Sequence, residues 1–286
     1  MLQQLPDPTA SWQLERTQLL QFGSGVDEHC WYSENGCCFL YTDLRWDSAF
    51  FKRPMAKLRA ILFDSARNLR AACRSFTRHL ASLGIQHCIT EIPAEDTQVL
   101  QALGHSEWLL VETRLQYVHE HLAALPPERY AVRSAIPQEQ TLLSSIAAEN
   151  ANPFDRFHAD PFFSKVEADA FLGAYAAAAV NGYCDDVLVP DEIGIPLDSF
   201  ITVNYQQVHT ATLGLKIGRP VVMAVGPQNR GWSRKLLAEA LHRAHEHGVE
   251  AIVSTTQATN KAIIRNKEKL GFRLAAVTHI LSWSGR

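Results

Sequence analysis

The sequence predicts an α/β (α+β) protein: a mixed central sheet flanked by helices, preceded by a smaller α/β domain. Three observations carry this. Short apolar and β-branched runs alternate with longer stretches whose apolar residues recur every three or four positions. Hydrophobic residues make up 47% of the 286 and aromatic residues 9%, enough to bury a core. The two prolines of HLAALPPERY fall where the periodic pattern lapses, which sets a boundary after residue 124 and gives domains 1–124 and 125–286.

The elements follow in order. Residues 13–38 read as a helix followed by irregular or strand-like chain, and CCFLYTDL as a strand. MAKLRAILFDSARNLRAACRSFTRHLASLG spaces apolar residues at three and four and ends in glycine, as an amphipathic helix does. HCITEI reads as a strand, DTQVLQALG as a helix and EWLLVETRLQYV as a strand. The second domain begins with the strand YAVRSA and the helix PQEQTLLSSIAAEN. The aromatic stretch ANPFDRFHADPFFS leads into the helix KVEADAFLGAYAAAAVNG. CDDVLVP, SFITVNYQ, HTATLGLKI and RPVVMAVG read as successive strands. The helix within GPQNRGWSRKLLAEALHRAHEHG, the strand EAIVSTTQ, the helix NKAIIRNKEKLG and the strand RLAAVTHILSW complete the order, with no repeat of fixed period.

A formal net charge of −3 gives no electrostatic case for nucleic acid as a partner. The six cysteines, Cys30, Cys37, Cys38, Cys73, Cys88 and Cys184, contain no CxxC pair, so reduced core thiols are expected, with redox or disulfide chemistry and a metal site involving His29 as minor alternatives. MLQQLPDPTASW has neither the basic nor the apolar region of a signal peptide, and no apolar run reaches the length of a membrane span. A cytoplasmic protein without a membrane partner is expected.

The stretch GPQNRGWSRKLLAEALHRAHEHG follows an apolar strand and opens a helix. A helix N-terminus offers unbonded N–H groups and the positive end of the dipole, so an anionic guest, phosphate above all, suits it. A phosphate close to Gly231 would meet no β-carbon; alternatively Gly231 only shapes the turn.

On these residues the sequence resembles a known family. Gln228-Asn229-Arg230-Gly231-Trp232-Ser233 is similar to the Q/R-x-x-G-x-G/A pyrophosphate loop of the GCN5-related N-acetyltransferases (GNAT), with serine in the last place. NKAIIRNKEKLGFRL is similar to their closing N-x-x-A-x-x-x-Y-x-x-x-G-F element: Asn260, Gly271 and Phe272 match, Ile263 stands in the alanine place and Lys267 in the tyrosine place. Leu44–Leu58 (LRWDSAFFKRPMAKL), LQALGHSEWLLVETRLQY and DRFHADPFFSKVEADAFLGAYAAAAVNG resemble, in collinear order, segments of the TDP-fucosamine acetyltransferase-like members. Lys52 stands where those members have glycine after F-F, and His105 where they have phenylalanine after glycine.

The resemblance implies the acyl-CoA N-acyltransferase fold and acetyl-CoA as cosubstrate. In that fold the fourth and fifth strands splay and the cofactor lies in the gap. Backbone of Val222, Met223, Ala224 and Val225 would bond the pantetheine, while Gln228 and the amides of Arg230, Gly231, Trp232 and Ser233 would hold the pyrophosphate. The Trp232 ring would pack on the cofactor or shield the helix start. Asn260 would contact pantetheine, cap its helix, or do both. Lys267 has three readings: proton donor to the CoA thiolate, attractor of CoA phosphate, or solvated helix residue. Tyr205 is a second candidate donor.

The acceptor side is expected in NPFDRFHADPFF. Arg156 would clamp a nucleotide-sugar diphosphate, Phe157 would line the site, and His158 would orient or deprotonate the amine; Glu149 is a further candidate base. The bland alternative makes the phenylalanines core and Arg156 and His158 surface pairs with Asp155 or Asp160. The resemblance implies acetylation of an amino group on a nucleotide-activated amino-deoxysugar, by direct attack in a ternary complex. The rivals are an acetyltransferase for a small amine, amino acid or protein N-terminus, and a CoA-binding module without turnover. A homodimer through an edge strand is compatible with the pattern.

Overall fold

The computed structural model describes residues 8–34, 36–206 and 213–285. The chain divides into two compact units that interleave in sequence. The larger comprises Met1–Leu14, Leu115–Pro153 and Ser164–Ala276, the smaller Glu15–Arg114, Phe154–Phe163 and Val277–Arg286. This differs from consecutive domains 1–124 and 125–286. The chain before the prolines goes with the larger unit because Tyr117 and Leu122 are buried in its core. A helix, α1 (Pro8–Gln21), straddles the division.

The smaller unit contains β1 (Glu28–Tyr32), β2 (Cys38–Asp43), α2 (Arg45–Phe51), β3 (Met55–Leu62), α3 (Leu69–Ser82), β4 (His87–Pro93) and α4 (Thr97–Gly104). It also takes the first part of β5 (Leu109–His119) and most of β11 (Arg273–Ser284). Its strands run in the order β1-β2-β3-β4-β11-β5. The β3–β4 pair is parallel, while β1–β2, β2–β3 and β4–β11 are antiparallel. Residues 55–62, expected as the start of a long helix, form a strand between β2 and β4. Lys57 and Arg59 alternate with buried Ala56 and Leu58, so the segment satisfies a two-residue period as well as the helical one. The helix proper begins at Leu69 and buries Leu69, Ala72, Cys73, Phe76 and Leu80 on one face. Those residues pack with Phe39, Leu58, Cys88, Leu281 and Trp283 of the sheet.

The larger unit contains β6 (Val132–Ser134), α5 (Gln140–Glu149), α6 (Lys165–Ala178), β7 (Asp186–Pro190), β8 (Ser199–Asn204), β9 (Ile217–Val225), α7 (Trp232–Glu246), β10 (Ala251–Gln257) and α8 (Lys261–Lys269). Its strand order is β10-β9-β8-β7-β6, with β9–β10 parallel and the rest antiparallel. The strands are covered on both faces, and the alternation is visible residue by residue. Val187, Val189 and Phe200 join Leu143, Ile146, Ala147 and Ala176 of α5 and α6. Leu188 and Ile201 join Leu236, Leu237 and Leu241 of α7.

Of the expected strand HTATLGLKI, residues 209–212 lie outside the described residues, and none of Leu213–Lys216 is in a strand. The apolar run that follows forms one strand, Ile217–Val225.

Candidate active site

In the larger unit β9 and β10 pair only at Ala251↔Ile217 and Ile252↔Gly218. On its other side β9 stays paired with β8 as far as Ser199↔Val225. Beyond Gly218, therefore, one edge of β9 has no ladder partner in β10, and this edge runs through Val222, Met223, Ala224 and Val225. Pro220, which has no N–H to donate, sits where the β8 register shifts between Ile201 and Val203. Next to the shift, the Thr202 hydroxyl accepts the N–H of Val222 at 3.0 Å. The unpaired edge offers amide groups that are costly to leave unbonded unless water or a ligand strand meets them.

The chain leaves β9 through a tight turn into α7. Gly231 precedes the helix with φ +94° and ψ −13°, in the left-handed region, and no side chain caps the helix. A β-carbon at Gly231 would meet nothing within 4 Å, so the turn is open on that side. The turn itself is stitched to the chain before β8. Asp198 accepts the Gly226 N–H on its carbonyl at 2.6 Å and the Gln228 N–H on its carboxylate at 2.9 Å. Asn229, 1% exposed, donates its side-chain amide to the Pro196 carbonyl and the Ser199 hydroxyl, both at 2.9 Å. Sequence reasoning missed Asp198 and Asn229. The glycine before the proline was the available signal, since a β-carbon at Gly226 would lie 2.0 Å from Asp198 Oδ1.

The remaining candidates of this loop are placed as follows. Gln228 and Arg230 are exposed. The Trp232 ring is buried at 4% exposure in the core beneath α7, with the Lys235 ammonium 4.4 Å above it. Ser233 Oγ accepts a hydrogen bond from the Asn266 amide at 2.8 Å, tying α7 to α8. Asn260 caps α8 by accepting the Ile263 N–H.

Lys267 lies on α8 and is 2% exposed, which removes its reading as a solvated helix residue. Its ammonium donates to the Thr255 carbonyl of β10 at 3.0 Å and stands 5.2 Å from the Tyr117 ring centroid. Burial, helped by the positive charge of Arg219 on β9, pulls its pKa down to about 7. A group that is half protonated near neutrality can give or take a proton without large cost.

Tyr205 and Glu149 are not brought to this place. Tyr205 follows β8 at the end where Asn204 pairs with Arg219, the opposite end of β9 from Val225 and the loop. Its hydroxyl donates to Asp186 at 3.0 Å, its ring stacks on His247 at 4.1 Å, and burial raises its pKa far above the usual phenol range. This is the setting of a core tyrosine rather than a donor. Glu149 is exposed at the end of α5.

Arg156, Phe157 and His158 belong to the smaller unit. Phe157 is buried, 6.1 Å from Phe51 and 5.4 Å from Phe163 between ring centroids, so this part of the loop is core. His158 Nδ1 pairs with Asp155 at 2.7 Å, and the same carboxylate accepts the N–H groups of Phe157 and His158. His87 pairs likewise with Asp160 at 2.9 Å, both side chains buried. Of these, only the His158–Asp155 pair belongs to the bland alternative, there as a surface pair; Asp160 takes His87 instead, and both pairs are largely buried. The Arg156 guanidinium lies over Phe157 at 4.4 Å and is 4.0 Å from Asp47.

All six cysteines are free thiols, five buried and Cys30 exposed. No described helix is long and apolar enough to cross a membrane. Among the described residues no group of three or more His, Cys, Asp or Glu side chains is placed to hold a metal ion.

No protein-family model matches the sequence, and no curated protein does. Solved structures do match. A GCN5-related N-acetyltransferase from Sphaerobacter thermophilus is 12% identical with a TM-score of 0.58, covering 98% of this chain and 88% of its own. One from Kribbella flavida is 15% identical with a TM-score of 0.53, covering 97% and 95%. A GNAT-family acetyltransferase from Colwellia psychrerythraea is 15% identical with a TM-score of 0.54, covering 99% and 98%. With its mixed sheet, flanking helices and parted β9 and β10, the chain has the fold of these GCN5-related N-acetyltransferases.

Proposed function

We propose that the protein transfers an acetyl group from acetyl-CoA to an amine. The observation that carries this reading is the parting of β9 from β10 after Gly218, next to an uncapped helix N-terminus in the same unit. Within Val222–Val225, where the Val222 N–H is taken by Thr202, the backbone of Met223 and Val225 would bond the pantetheine amides as an added strand does, and the amides of Arg230–Ser233 would take the pyrophosphate. The cofactor supplies the thioester. The chain's own contribution at the reacting end is Lys267. An ammonium with a pKa of about 7 is a stronger acid than an ordinary thiol, at about 8.5, so it can protonate the departing thiolate.

The amine would attack directly, since no serine or cysteine of the chain stands in a nucleophile motif. For the acceptor we propose an amino-deoxysugar on a nucleotide, supported by the resemblance of Leu44–Leu58 and of the loop from Asp155 to the sugar-acetylating members. In this reading Arg156, over the ring of Phe157, is the residue offered to the diphosphate.

Calorimetry with CoA and acetyl-CoA tests the cofactor, and a thiol-release assay with amino-sugar nucleotides, simple amines and peptides tests the acceptor. Binding of CoA with turnover of an amino-sugar nucleotide is expected. Absence of CoA binding by the folded protein would refute the whole reading. Turnover of peptides or simple amines alone would refute the sugar.

A further inference from the structure

The smaller unit contains a cleft that the acetyl-transfer reading does not use. It measures about 1030 Å³, and every residue lining it falls within Glu15–Arg114. Its floor is aromatic. The β1–β2 register sets His29 opposite Tyr41, so both project on one face of the sheet, and Trp31, two residues on, projects there too. His79 reaches this face from the last turn of α3. The four rings form two stacks: His29 on Tyr41 at 4.9 Å and Trp31 on His79 at 5.0 Å between centroids. Two hydrogen bonds hold them in place, Asp43 accepting from His29 Nε2 at 3.0 Å and the Tyr41 hydroxyl meeting His79 Nε2 at 3.1 Å. Burial and the nearby His29 lower the pKa of His79, while burial raises that of Tyr41, so both rings are uncharged at neutral pH. The His29 side chain is 38% exposed, so a solute can reach the floor.

The lining also carries charge, and all but one of its charged groups are committed. Glu28 accepts the Gly23 and Gly25 N–H groups, both at 3.0 Å, and Asp43 holds His29. Arg45 pairs with Asp27, and Arg53 lies 4.5 Å over the Phe162 ring and donates to the Phe162 carbonyl at 3.4 Å. Lys52 is left. Among the described residues its ammonium makes no hydrogen bond and no ion pair. Its backbone is held at the C-terminus of α2 with φ 54° and ψ 36°, its N–H bonded to the Ser48 carbonyl. Glycine would take that conformation freely, whereas lysine keeps it under strain, and strain of this kind gathers at ligand clamps. With both carboxylates spent and one cation open, the cleft suits an anion.

We propose that this cleft binds a small molecule made of a flat aromatic ring and an anionic group, the ring lying against His29 and Trp31 and the anion meeting the Lys52 ammonium. A cleft of this size takes a drug-sized molecule, and stacked rings attract beyond the area they bury. An aromatic carboxylate and an aromatic phosphate share this chemistry, and the test separates them. The inference does not rest on the acetyl-transfer reading.

The experiment is an NMR titration of the full chain with phenylacetate, phenyl phosphate and cyclohexylacetate, the last carrying the charge without the aromatic ring. Phenylacetate or phenyl phosphate should bind, the tighter of the two naming the anion, and cyclohexylacetate should bind about tenfold more weakly. Lys52→Asn removes the ammonium but keeps a residue that tolerates the left-handed region, and His29→Ala removes the exposed ring; each should weaken binding by about tenfold. Lys52→Asn should not lower the melting temperature, so if His29→Ala does, Lys52→Asn decides. Gly231→Ala, in the cofactor loop, should leave the affinity for the aromatic anion as it is. No binding of either aromatic anion, equal binding of cyclohexylacetate, or an affinity that Lys52→Asn or a folded His29→Ala leaves unchanged would overturn the proposal. So would an affinity lost in Gly231→Ala, which would put the ligand in the cofactor loop. If the chain binds no CoA but binds an aromatic anion through Lys52, the acetyl-transfer reading fails and this site stands.

Discussion

Replacing Lys267 by methionine removes a buried ammonium while keeping the volume, and its effect on stability has a calculable pH dependence. The unfolded lysine titrates at its ordinary value of 10.5 and the folded one at about 7. Between these values the unfolded chain binds the extra proton, so wild-type stability rises with pH by ~1.4 kcal/mol per unit. Below about pH 7 both states are protonated and the full penalty, roughly 4–5 kcal/mol, is present. Above 10.5 it is gone. The variant loses the bond to the Thr255 carbonyl, worth about 1 kcal/mol. The variant should therefore be more stable than wild type by roughly 3 kcal/mol at pH 7, the gap closing by ~2–3 kcal/mol toward pH 9.5. Urea unfolding at pH 6.5, 8 and 9.5 measures it. A stability difference that stays flat over that range would refute the buried, shifted lysine, whatever the variant does to activity. In the acetyl-transfer assay the same variant should lose the rate limb that depends on a proton donor with a pKa near 7.

Other substitutions probe the loop and the turns. Gly231→Ala forces a β-carbon onto φ +94°, costing about 1–2 kcal/mol, and should weaken CoA binding in calorimetry by about tenfold. Gly226→Ala drives a methyl into the Asp198 carboxylate; loss of the bond to the Gln228 N–H should raise the KM for acetyl-CoA with a smaller change in kcat. Lys52, at φ 54°, is a non-glycine residue in the left-handed region, so Lys52→Gly should raise the stability of the protein by up to about 1 kcal/mol in thermal unfolding. Asn260→Ala removes the cap of α8 and should cost ~1 kcal/mol in urea unfolding.

What the sequence revealed and what it hid follow from the range of the interactions concerned. Gly231 and Asn260 were legible because each acts on the backbone within three residues: one enters the left-handed region, the other bonds the Ile263 N–H. The strand β3 was hidden because residues 55–62 satisfy two periods, and only pairing with β2 and β4 chooses the strand. Lys267 was found by its spacing from Gly271. Its burial was not legible, since α8 also carries Lys261, Arg265 and Lys269, and only packing decides which cation is enclosed. Asp198 and Asn229 act through bonds to residues some thirty positions away, beyond any local pattern. The aromatic loop is fastened by two histidine–aspartate pairs, one of them to His87 on β4, a partner 73 residues away that no local pattern marks.

The strand that ends at Ser284 pairs with His87–Pro93, in a register that joins Ser284 to His87 and Thr278 to Pro93. During synthesis the ribosome thus finishes β4 long before this second neighbour exists. Until residues 277–284 emerge, Ile89 and Thr90 await their strand, and the pocket that receives Leu281 and Trp283 beside Phe76 remains unfilled. Chaperone capture of nascent chains should therefore persist until the last strand is released.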